Sequence, residues 1–129
     1  MFKIYTVDDG NTVPMEYHPA SAITPKQGLA LAMSNGKLAI ASGTTKPQYV
    51  CMLEQDSPCT AGDVIPVLRV GGEIIWETVA QADMAAVKLG DKVTIHTDGA
   101  QVTATTASGV AEVVAMDGTA VGSRGYVRF

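Results

Sequence analysis

The sequence predicts an all-β fold assembled from short hairpins, on three observations. Asx-Gly and Gly-Gly pairs recur along the chain: Asp9-Gly10, Asn35-Gly36, Gly71-Gly72, Asp98-Gly99 and Asp117-Gly118. Such pairs supply the positive φ angles that tight hairpins need. The residues flanking two of these turns match apolar to apolar and polar to polar when folded back on each other. Helix signals are nearly absent. Only residues 83–90 suit one or two helical turns, with Asp83 as N-cap and Gly90 just past the end.

Taken in chain order, the first 26 residues come before the main hairpins. Pro14, Pro19 and Pro25 interrupt them, so they read as an extended arm with the first strands. The arm carries the apolar residues Met15, Tyr17 and Ile23. It is either a docking element for a partner or a strand and loop wrapped on the chain's own core. Residues 27–129 form the barrel, and the whole chain is one domain. Five of the aromatic rings (Phe2, Tyr5, Tyr17, Tyr126 and Phe129) lie near the termini, so the ends are expected to be packed.

The Asn35-Gly36 turn places Met33 opposite Leu38 and Leu31 opposite Ile40. These large side chains share one face. Ala30, Ala32, Ala39 and Ala41 form the other, which needs a close neighbour. Cys51 falls in an apolar run and Cys59 in a loop. Their spacing fits no zinc or redox motif, so two unpaired thiols are expected, with a disulfide as the alternative.

Around Gly71-Gly72 both faces are apolar. Val64, Leu68, Ile75 and Val79 fall on one side, and Ile65, Val67, Ile74 and Trp76 on the other. A hairpin buried on two sides follows, with Ile65, Val67, Ile74 and Trp76 as candidates for an oligomer or partner interface. Pro66 cannot donate to a ladder and marks an edge or bulge. The Asp98-Gly99 turn sets Thr97 against Ala100, Ile95 against Val102, Thr94 against Thr103 and Val93 against Ala104. Residues 61–65 echo residues 89–93, each a Gly-Asp turn delivering a strand, as small barrels use.

Composition excludes several function classes. The chain has 129 residues, 47% hydrophobic and 17% charged, with net charge −4. That composition suits one globular domain. No apolar run approaches the roughly 20 residues of a bilayer span, and the first residues do not read as a secretion signal. The basic residues are scattered, so no nucleic-acid face is expected.

Catalytic motifs are missing. No Gly-x-Ser-x-Gly elbow occurs, and Gly62-Asp63 and Gly90-Asp91 are followed by Val64 and Lys92, not by a nucleophilic serine. No turn centre carries the lysine of a lipoyl or biotinyl domain. His18, His96, Cys51 and Cys59 are isolated from one another. Neither enzyme activity, nor a metal, nor a cofactor is expected.

One run of landmarks resembles a known family. It comprises Ser34-Asn35-Gly36-Lys37-Leu38 with Ala41-Ser42-Gly43, Lys46-Pro47-Gln48-Tyr49-Val50, Ala61-Gly62-Asp63 with Ile65-Pro66-Val67, Lys88-Leu89-Gly90-Asp91-Lys92-Val93-Thr94-Ile95, Asp98-Gly99, Val102-Thr103-Ala104-Thr105-Thr106 and Tyr126-Val127-Arg128-Phe129. In order and spacing these resemble the small head decoration, or capsid stabilising, proteins of tailed phages and prophages of Gram-positive gut bacteria. The resemblance implies a β-barrel or β-tulip domain on the outer surface of the virion, made in the host cytoplasm. Its partner would be the major capsid protein of the expanded head, and it would self-associate, with a trimer favoured.

In that setting the capsid-binding residues of the arm are Phe2, Ile4, Tyr5, Met15, Tyr17 and Ile23. Removing residues 1–18 is then expected to abolish docking and leave the barrel folded. Two other readings compete. One is a carbohydrate-binding or adhesion module, for which Trp76 and Tyr49 are the candidate aromatics. The other is a further virion part, such as a connector or fibre base.

Overall fold

The computed structural model describes residues 1–8 and 12–129, and the expected Asp9-Gly10 turn lies outside the described residues. The fold is all-β, in two antiparallel sheets of five strands. The strands are β1 (Lys3–Val7), β2 (Met15–Pro19), β3 (Ala30–Ser34), β4 (Lys37–Ile40), β5 (Tyr49–Cys51), β6 (Val64–Arg69), β7 (Ile74–Val79), β8 (Lys92–Val93), β9 (Ala111–Met116) and β10 (Arg124–Arg128). One sheet runs β1-β7-β10-β9-β8 and the other β2-β6-β5-β3-β4. The sheets do not close into the expected barrel, because each keeps its own edge strands.

The β3–β4 hairpin forms in the expected register, with Leu31 opposite Ile40 and Met33 opposite Leu38. Asn35 and Gly36 take φ of 50° and 74°, the paired positive angles whose twist matches two strands. The alanine face finds its close neighbour inside the chain. Ala30 and Ala41 are buried in the core shared by the two sheets, with Trp76, Ile74, Val113 and Val127. Leu31 and Leu38 face the opposite way, into a second cluster with Ile65, Val67, Tyr49 and Cys51. The sheet of β2 and β6 is therefore apolar on both faces, which explains the unbroken apolar run of β6.

That same two-sided burial misleads at Gly71-Gly72. The expected hairpin is not made: β6 and β7 belong to different sheets, and the glycines lie in the crossing between them. Pro66 is also not on an edge, since β6 pairs with both β2 and β5. Its carbonyl accepts from Met52 N–H at 3.0 Å. A residue's N and C=O point to the same side of a strand, so the missing donor faces a point where β5 has already ended.

The Asp98-Gly99 turn keeps its first rungs. Ile95 bridges Val102, and the Thr94 and Thr103 hydroxyls meet at 2.7 Å. Val93 departs from the ladder and pairs with Ala111, not Ala104. Residues 83–90 form successive turns and no helix. The Asp83 carboxylate accepts from Ala85 N–H, which ties up the cap in a local turn, while Met84 and Val87 drop into the shared core.

Candidate docking surface

β1 and β2 are the terminal strands of their sheets. Their inner neighbours, β7 and β6, are joined by one crossing, and the chain just past β2 turns back onto β4, where Ala20 bridges Leu38. The described residues of 1–26 are thus no loose arm. They give each sheet an edge strand, which settles the arm's two readings in favour of wrapping. Phe2 is 1% exposed and meets Phe129 edge-on at 5.3 Å.

Beside the start of β1 lies a largely apolar cleft of about 540 Å³, with Lys3, Gln27 and Glu54 as the polar residues of its lining. Met1 and Ile4 form one lip, and Met52 and Leu68 the other. Register extends this surface along β2, where Met15 stands opposite Leu68, Tyr17 opposite Pro66 and Pro19 opposite Val64. Directly opposed residues share a face, so Met15, Tyr17 and Val64 continue the face that Leu68 presents to the core. They overhang it. Tyr17 is 64% exposed and Val64 61%. Met1, Ile4 and Met15 are also exposed. An unpaired strand edge beside exposed apolar side chains is a surface that invites a partner.

On the opposite face of β2 and β6 the polar groups are held firmly. Arg69 grips Glu16 with two hydrogen bonds of 2.9 Å, donates to the Tyr49 hydroxyl at 3.0 Å and lies over the Tyr49 ring. His18 reaches the same carboxylate at 3.0 Å. The Arg69 hydrogen bonds, then that of His18, lower the Glu16 carboxyl from its ordinary value. Partial burial lowers the Met1 amino group. Lys26 pairs with Asp56 and Glu54 across the neighbouring loop.

Of the residues expected to bind a capsid, Ile4, Tyr5, Met15 and Tyr17 lie on the surface, and Phe2 does not. Tyr5 is exposed at a register shift in β1, its ring 4.5 Å from that of Tyr126. Ile23 is half-buried against the second cluster. Ile65, Val67, Ile74 and Trp76 are core residues, at most 1% exposed. Ile65 and Val67 face the second cluster, and Ile74 and Trp76 face the core shared by the two sheets. Exposed Met1 and Val64 and half-buried Met52 are surface residues the sequence reading did not single out. The pairing of Val64 with Leu68 on one face was the available signal.

Trp76 and Tyr49, on which a sugar-binding reading rests, are both buried. Cys51 and Cys59 are unpaired and both buried in the second cluster, Cys59 despite its loop position. Burial raises the Cys51 thiol above its ordinary value. Among the described residues no group of three His, Cys, Asp or Glu side chains is placed to hold a metal ion. None of their helices is long and apolar enough to cross a membrane.

No protein-family model matches the chain, and no curated protein matches it. Among solved structures it is similar to the crystal structure of the head fibre gp8.5 N base of bacteriophage phi29. The similarity has a TM-score of 0.55 and 21% identity, over 92% of this chain and 95% of that one. At this identity what the two share is the fold.

Proposed function

We propose that this chain is a structural part of a phage virion that docks on the outside of the expanded head, on the major capsid protein, and stabilises contacts between capsid subunits. The observation that carries this is the open, largely apolar cleft beside the start of β1, together with the exposed apolar side chains Ile4, Met15, Tyr17 and Val64. A fold shared end to end with the base of a head fibre supports it. The order and spacing of the landmark residues support it as well. The surface suits a binding role: a stiff, two-sided apolar sheet presents Ile4, Met15, Tyr17 and Val64 without needing to rearrange, which spares the ordering cost of association. No catalysis is part of this proposal.

A second reading is favoured by the likeness itself, namely that the chain is the base of a fibre and not a free-standing cement. Both readings use the same docking side. Self-association, as a trimer, fits either, since it multiplies weak contacts into tight attachment.

Co-sedimentation with expanded heads and with immature shells tests the proposal. Binding to the expanded particle alone is the expected result, because a ligand of one lattice state stabilises that state. Equal binding to both particles, or to neither, contradicts it.

A further inference from the structure

At the far side of the β1 sheet, β8, β9 and β10 meet the β4–β5 connection around a hollow of about 210 Å³. Lys46, Lys92 and Arg128 line it, with Glu112 as the acid among them. Ladder register puts Lys92 opposite Glu112 and Glu112 opposite Arg128, so the three charges stand in one rung. The β4–β5 connection brings Lys46 to them. Three cations thus converge in a chain whose net charge is −4.

Elsewhere among the described residues Lys26, Arg69 and Arg124 pair with carboxylates, and Lys3, Lys37 and Lys88 stand apart from one another in the sequence. Among the described residues Lys46, Lys92 and Arg128 make no ion pair. Arg128 Nε is buried and has no hydrogen-bond partner. A buried charged donor left unmatched is costly, and the same Arg128 side chain lines the hollow. The wall of the hollow is backbone packed too closely for any side chain: a Cβ on Gly109 would lie 2.0 Å from the Lys92 carbonyl oxygen.

We infer that this hollow is a binding site for a phosphate group. Three cations against a single side-chain carboxylate leave the lining side chains net positive. A phosphate carries about −1.5 to −2 at neutral pH and offers several acceptor oxygens. A guanidinium and two ammonium groups are the donors such a group takes. A monoanionic carboxylate brings less charge. The source of the phosphate is either free inorganic phosphate or a phosphomonoester on a small organic molecule. The site lies away from the cleft and does not rest on the docking proposal.

Amide chemical shifts of the full chain, titrated with inorganic phosphate at constant ionic strength, test this. Saturable shifts are expected around residues 46, 92, 109–112 and 128. Affinity rises as pH passes upward through about 6, where phosphate gains its second charge. Sulfate, dianionic throughout, shows no such rise. Lys92→Gln and Lys46→Gln each weaken binding by about tenfold to a hundredfold, with unchanged thermal melts, and Lys37→Gln leaves it unchanged. Glycerol phosphate binding tighter than inorganic phosphate assigns the site to a carried phosphate, and the reverse assigns it to the free ion. Shifts that never saturate and spread over all lysines overturn the inference, as does acetate binding as tightly as phosphate.

Discussion

At the scale of single residues, the apolar side chains divide into those that hold the fold and those that overhang it. Trp76 is fully buried in the shared core, with its Nε1 unpartnered among the described residues. Trp76→Ala is expected to cost about 3–5 kcal/mol, a large share of a domain's total stability. Tyr17→Ala, at an overhanging position, is expected to cost less than about 1 kcal/mol. Denaturant unfolding of the two variants checks both. Similar losses would contradict the placement of these side chains.

Glu16 gives a pH-dependent counterpart. Its folded-state carboxyl lies below its ordinary value of 4.5, chiefly through the Arg69 hydrogen bonds. The stability it supplies is therefore present above that value and lost as pH falls through it toward the lower folded value. The melting-temperature gap between the parent protein and Glu16→Gln is expected to shrink on acidification across that window. A gap that stays constant would show that the pair adds nothing.

At the scale of elements, the edge strands carry both stability and binding. Deleting residues 1–18 removes β1, most of β2 and the buried Phe2 ring. It is expected to unfold the protein and not merely to undock it, seen as loss of a cooperative thermal transition. A folded, non-binding truncation would restore the free-arm reading. The sequence made some elements legible and hid others for physical reasons. The β3–β4 hairpin was readable because its register is set by the turn and its immediate neighbours. The β6–β7 crossing was not, because two apolar strands flanking a Gly-Gly pair look alike whether they pair with each other or enter different sheets. Period-two alternation reports which residues share a face, not what covers that face. For the same reason Ile65, Val67, Ile74 and Trp76 looked like an interface and proved to be core.

At the scale of the whole molecule, the two sheets share a core and leave an open cleft beside the start of β1. Only four of the six residues expected in the docking set reach the surface: Ile4, Tyr5, Met15 and Tyr17. The other part of the site, formed by Met1, Met52, Val64 and Leu68, comes together only when sheets from distant sequence positions are stacked, which no local pattern encodes. The central claim is that this open side is what grips the virion. A cryo-EM map of decorated expanded heads tests it most directly. The account predicts density joining the shell to the β1 and β2 edges, with Ile4, Met15, Tyr17 and Val64 buried at the contact. A map in which those edges face solvent, and the shell meets another side of the protein, would contradict it.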